Sequence, residues 1–172
     1  MRKITIAMLV SHQSNVLTRI SGMFARRCFN IETIAAGQAE DKDVNRITIT
    51  MYGDDHIRDQ VIKQLEKLHD VYEVREMLPE DSLCRELALM KVAANAENRR
   101  DIMDAVTIFR YRIIDYTPGT LCIQMTGSTN KIDTFIEMME PYGILELCRT
   151  GVLAINKGLK LLKLEEEEEQ AK

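Results

Sequence analysis

The sequence has no block of basic residues, no long apolar run and no cysteine pair at metal-ligand spacing. Each absence removes a class of function. Nucleic-acid binding needs a positive face, but here 23 Lys and Arg stand against 27 Asp and Glu, for a net charge of −4. The isoelectric point is near 5.5. No aromatic-rich central strand pair offers a stacking platform for bases either. A membrane span needs about 20 consecutive apolar residues, and none occurs. Cys28, Cys84, Cys122 and Cys148 are scattered with no CxxC among them, so neither a zinc site nor a redox motif is suggested. Buried free thiols in a reducing cytoplasm are the expectation. Also missing are a glycine-rich phosphate loop, a nucleophile elbow and a zinc-protease helix. His12, His56 and His69 share no metal-ligand spacing. Asp54 and Asp55 are better explained as helix caps than as a catalytic pair. No acid, base and nucleophile set can be assembled, so the chain reads as a binding or regulatory module.

What is present is an ordinary globular composition, 45% hydrophobic and 29% charged over 172 residues. That length suits one large domain or two small ones and buries roughly 70% of the unfolded surface. The start, MRKITIAMLVSHQ, is basic with a brief apolar stretch but no small-residue cleavage signature. It reads as a strand, not a signal peptide.

Ile4, Ile6, Met8 and Val10 alternate with Thr5, Ala7 and Leu9, which predicts a first strand. A polar turn follows. Val16, Ile20, Met23 and Phe24 then fall at helical spacing, with Ser14 or Asn15 as a side-chain cap for a helix over 15–27. A strand that enters a helix N-terminus through a turn leaves free N–H groups and a positive dipole end, which suits the carboxylate of a small ligand. The same pattern also fits a plain strand–turn–helix with no ligand. Arg26 and Arg27 form a basic elbow. Strands are predicted over 30–38 and 45–52 around the charged tip Glu40-Asp41-Lys42-Asp43. Gly53-Asp54-Asp55 stops the third strand and caps a second helix, which carries Ile57, Val61, Leu65 and Leu68 on one side. His56 lies in its first turn and His69 at its end. A fourth strand covers 71–77. The order β-α-β-β-α-β is the split arrangement of ferredoxin-like domains.

Leu78-Pro79-Glu80-Asp81-Ser82 is a polar link, after which the order repeats. A strand is expected over 85–94 and a helix over 99–109. A hairpin over 112–126 turns at Thr117-Pro118-Gly119-Thr120, and a closing strand over 144–155 is interrupted at Gly151. Gly127-Ser128-Thr129-Asn130-Lys131 is either an anion site at a helix start or a plain strand stop and cap. The fold class expected is therefore α+β, with two ferredoxin-like βαββαβ domains in tandem. Their extents are 1–78 and 84–158, joined by a linker at 79–83. The tail, 159–172, carries Glu165 to Glu169 in succession. Like charges repel, so a frayed helix or disordered end is expected.

The run FARRCFNIETI, placed after a strand and a helix, closely resembles the small regulatory subunits of acetolactate synthase (acetohydroxyacid synthase). The residues that carry the likeness are Phe24, Arg27, Asn30 and Ile31. RITITMYGDD, QLEKLHDVYEV, RELALMKV, IFRYRIIDYTP and KIDTFIEMMEPYGILELCRTGVLAI also look like that family, so the likeness spans about residues 2–158. It implies an N-terminal ACT domain followed by a C-terminal domain of related topology. It implies a homodimer paired through the ACT domains, with valine or another branched-chain amino acid bound between copies. It further implies no catalysis and no cofactor in this chain. Thiamine diphosphate, Mg and FAD are expected in the large catalytic subunit that it activates. That partner's reaction makes 2-acetolactate from two pyruvates, or 2-aceto-2-hydroxybutyrate from pyruvate and 2-oxobutyrate. By the same resemblance the effector-binding residues are His12, Asn15, Val16, Asn30 and Ile31. The amides of Asn15 and Val16 would meet the effector carboxylate, Asn30 would bond across to the ligand, and Ile31 would line the apolar side. The family's turn usually carries asparagine and glycine where this chain has His12 and Asn15. The Asn15 side chain would stand beside the ligand, so weakened valine sensitivity is expected. Two rivals remain: a free-standing tandem-ACT sensor acting on another target, and an enzyme on a ferredoxin-like scaffold.

Overall fold

The computed structural model describes residues 1–164. The chain forms two compact units. Among the described residues, unit 1 is Met1–Cys84 together with 154–164, and unit 2 is Arg85–Leu153.

Unit 1 runs β1 (Arg2–Ser11), α1 (Val16–Arg26), β2 (Thr33–Gln38), β3 (Val44–Gly53), α2 (Asp55–Leu65) and β4 (Val71–Glu76). Its antiparallel sheet has the order β2-β3-β1-β4. β1 lies inside the sheet and pairs with β3 over its whole length, from Arg2 opposite Gly53 to Ser11 opposite Val44. Period-2 alternation puts Ile4, Ile6, Met8 and Val10 on the same face as Ile47, Ile49 and Met51. The two helices cover that face with Val16, Ile20, Met23 and Phe24 from α1 and Val61 and Leu65 from α2. The opposite face is buried as well. Ala7, Leu9, Thr48 and Thr50 are all closed to solvent, which is why β1 reads as a nearly continuous apolar run.

Part of that second face is held by the chain beyond Ala154. Arg46 donates to the Ala154 carbonyl at 2.9 Å and Arg75 to the Leu161 carbonyl at 3.2 Å. Leu162 is buried, and Lys160 pairs with Asp81 at 2.6 Å. The loose tail expected from residue 159 therefore does not begin there: 159–164 are tied to unit 1 by one apolar anchor and these polar contacts. The glutamate run Glu165–Glu169, expected to be frayed or disordered, lies outside the described residues.

Unit 2 repeats the pattern with β5 (Ser82–Ala93, in this unit from Arg85), α3 (Arg99–Phe109), β6 (Arg112–Tyr116), β7 (Thr120–Gly127), α4 (Thr129–Met139) and β8 (Ile144–Arg149). A 3₁₀ turn, Glu140–Tyr142, precedes β8; the short β9 (Leu153–Asn156) belongs to unit 1 from Ala154 on. The sheet order β6-β7-β5-β8 is the same permutation as in unit 1. The α+β class and the doubled βαββαβ order read from the sequence are what the structure has. At the centre of unit 2, the Phe135 ring packs edge-on against Phe109 at 5.0 Å and Tyr111 at 4.9 Å.

Several local expectations are corrected. β5 starts at Ser82, three residues before the expected strand start at Arg85; the Ser82 side chain is buried and bonds to the Leu78 carbonyl. His69 does not end α2. It stands four residues past Leu65, in the turn before β4. The four thiols are not buried: Cys28 and Cys148 are exposed, Cys84 and Cys122 half-buried. Cys122 and Cys148 sit opposite Lys91 and Leu89, on the sheet face away from the helices. The interruption expected at Gly151 is present. β8 and β9 are separate strands, with Gly151 at φ 76° between them.

Candidate functional site

The turn from β1 into α1 is built from His12 to Asn15. Its backbone is pinned from two sides. The Ser11 amide donates to the Asp70 carbonyl at 2.9 Å, and the His12 amide to the Asp43 carbonyl at 2.8 Å. The His12 Nδ1 lies 3.0 Å from the Asn45 amide oxygen, which ties the turn to β3. Arg19 on α1 reaches the Asp70 carboxylate at 2.6 Å. Asp70 thus braces both the strand end, through its carbonyl, and the helix, through its carboxylate.

Asn15 stands at φ 78°, ψ −9°, in the left-handed region. Asparagine tolerates that region better than most residues, and here it lets the chain reverse into α1. The carbonyl of Asn15 accepts the first helical bond from Arg19 at 3.0 Å. Its side chain makes no cap bond, contrary to the expectation that Ser14 or Asn15 caps the helix. The left-handed backbone explains this, because side-chain capping normally needs extended geometry at that position. The first-turn amides of α1 have no intrahelical acceptor. They stand at the positive end of the helix dipole with no acidic residue in the first turn.

Of the five expected effector residues, His12, Asn15 and Val16 share this turn. Val16 is buried and anchors the helix start in the core. Asn30 and Ile31 precede β2, which begins only at Thr33; the expected strand start at Asn30 is therefore three residues early. Ile31 is half-buried against the same apolar cluster as Val16. Asn30 is exposed, and its amide donates to Glu32 at 2.7 Å. Sequence reasoning missed Ser11, whose hydroxyl is buried and makes no hydrogen bond among the described residues. It also missed the two carbonyl braces at Asp43 and Asp70, which leave no trace in the pattern because any residue has a carbonyl. A cavity of about 160 Å³ elsewhere in unit 1, lined by Leu9, Val44, Glu40 and Lys163 among others, includes none of the five. Among the described residues no group of three His, Cys, Asp or Glu is placed to hold a metal. No helix there is long and apolar enough to cross a membrane.

Two family models match the chain. One, described as the AHAS small subunit-like ACT domain, matches residues 6–73; the other, the small subunit of acetolactate synthase, matches 85–158. A probable acetolactate synthase small subunit from Archaeoglobus fulgidus is 45% identical over 92% of this chain and 99% of its own length. The chain belongs to the acetolactate synthase small-subunit family. A second family member, from Methanothermobacter thermautotrophicus, is 43% identical over 91% of this chain and 94% of its own length. The crystal structure of the acetolactate synthase small subunit from Thermotoga maritima superposes with a TM-score of 0.86 at 36% identity, over 92% of this chain and 99% of that one. The tandem ferredoxin-like architecture is thus shared with a solved member of the small-subunit family.

Proposed function

We propose that this chain is the regulatory, non-catalytic subunit of acetolactate synthase. It binds the thiamine-diphosphate-dependent large subunit, raises its activity and carries feedback from a branched-chain amino acid, with valine as the first candidate. The ACT domain occupies 1–78 and the small-subunit domain 84–158, ranges that contain the two matched segments. The effector carboxylate meets the amides of Asn15 and Val16. Asn30 turns from Glu32 to the ligand, and Ile31 supplies apolar contact. A second copy completes the pocket. β2 is a sheet edge with Ile34 exposed, the kind of edge another strand can extend.

The observation that carries this reading is Asn15: left-handed, at an uncapped helix start, in a turn braced from both sides. That arrangement favours a small carboxylate. The Asn15 side chain crowds the same place, and losing one or two contacts costs ~1–3 kcal/mol, or about one to two decades of affinity. The subunit therefore activates its partner but responds weakly to valine. The test is co-purification with the large subunit, followed by pyruvate condensation with and without valine. Stimulation with weak valine inhibition is expected. Failure to associate would refute the subunit assignment, and full inhibition at micromolar valine would refute the weakened pocket.

A further inference from the structure

Unit 2 repeats a helix start of unit 1 with one change of chemistry. In unit 1, Gly53 leads into Asp54, whose carboxylate accepts from the Ile57 amide at 2.9 Å. A negative group of the chain itself thus covers the positive end of α2. The corresponding residues are Gly127 and Ser128 before α4 and Lys131 in its first turn. Ser128 makes no side-chain cap bond, so the first-turn amides of α4 have no carboxylate on them and no intrahelical acceptor. Where Ile57 lies over Gly53, Lys131 lies over Gly127: a Cβ at Gly127 would stand 3.5 Å from the Lys131 Cδ. Where unit 1 has an anion of its own at this turn, unit 2 has serine, with a cation one helical turn on.

A second observation converges on the same turn. Tyr111 is only 8% exposed, yet its buried hydroxyl makes no hydrogen bond among the described residues. An unpaired buried hydroxyl is costly. It stands 3.8 Å from where a Gly127 Cβ would be, so it is directed at the turn. The Lys131 ammonium lies 5.0 Å from the Tyr111 ring centroid and donates to the Phe109 carbonyl at 2.8 Å. Two of its three N–H groups remain for other acceptors. Asp133, the nearest acid along α4, is already paired with Arg149 at 2.8 Å.

The geometry points to a phosphoryl-binding site at the N-terminus of α4, formed by the first-turn amides, the Lys131 ammonium and the Tyr111 hydroxyl. Ser128 and Thr129 add hydroxyl donors on the same turn. Donors this numerous suit the three free oxygens of a phosphoryl group better than the two of a carboxylate. The site uses no residue of the β1–α1 turn and does not rest on the effector reading.

The test is a titration of the 15N-labelled full chain with inorganic phosphate at constant ionic strength, following the amides of Thr129, Asn130 and Lys131. A saturable shift on the order of millimolar is expected. Lys131→Met should weaken it about tenfold and Tyr111→Phe several-fold, while Lys131→Arg should keep it within about threefold. Tyr111→Phe preserves the ring and so the core, which keeps the proposal falsifiable if Lys131→Met fails to fold. No saturable response, or one that both Lys131→Met and Tyr111→Phe leave unchanged, would overturn it. So would acetate binding as strongly as phosphate, which would assign the turn to carboxylates.

Discussion

Among single residues, Asn15 sets the geometry of the β1–α1 turn. Its φ of 78° is costly for any residue with a Cβ and free for glycine. Asn15→Gly should therefore match or exceed the parent's stability, by up to ~1 kcal/mol in urea unfolding. It should also strengthen valine inhibition of the reconstituted enzyme about tenfold. Asn15→Ala, which lacks asparagine's tolerance of left-handed backbone, should cost about 1 kcal/mol. A second single-residue outcome concerns Asp55 on α2. The Arg2 guanidinium bonded to it, and then Arg58, hold its carboxyl below the ordinary value of 3.8. A depressed folded-state pKa stabilises the fold at pH values above the ordinary carboxylate range. That contribution disappears as pH falls through the folded-state value. In Arg2→Ala the Asp55 titration, followed by carboxyl NMR, should move up part of the way toward 3.8. Arg58 keeps the remainder.

Among the elements, unit 2 depends on the face that α3 and α4 lay on their sheet. Phe135 is fully buried between Phe109 and Tyr111. Phe135→Ala removes a ring from a close-packed interior and should cost about 3–5 kcal/mol, read as a shift in the urea midpoint with unchanged slope. The segment 159–164 is an element without regular structure, yet Leu162 is as buried as the strands beneath it. Ending the chain at Gly158 should destabilise unit 1 by about 1–3 kcal/mol, the worth of one buried leucine and its neighbouring bonds. Leu162→Asp should reproduce most of that loss. A truncation without effect would mean that the segment adds nothing to the sheet it touches.

At the scale of the whole molecule, two unlike sequences arrive at one strand permutation. Their alternating apolar residues, their helical stripes, the strand stops at Gly53 and Gly127 and the cap at Asp54 were readable in advance, because these are local signals with fixed periods; the cap expected of Ser128 is not made. A homodimer in sedimentation equilibrium is the outcome expected of the full chain, and a monomer at all concentrations would remove the shared pocket. The site was legible in part. Resemblance pointed to His12, Asn15, Val16, Asn30 and Ile31, while nothing local announced the braces from Asp43 and Asp70 or the unpaired hydroxyls of Ser11 and Tyr111. The sequence by itself determined the elements, their order and the family, because periodicity, turn chemistry and motif spacing are written along the chain. Only the tertiary structure decided which amides stay uncapped, which strand faces the chain beyond Ala154 covers, and that the thiols lie outside the core. Those depend on which distant residues become neighbours, and no local pattern encodes that.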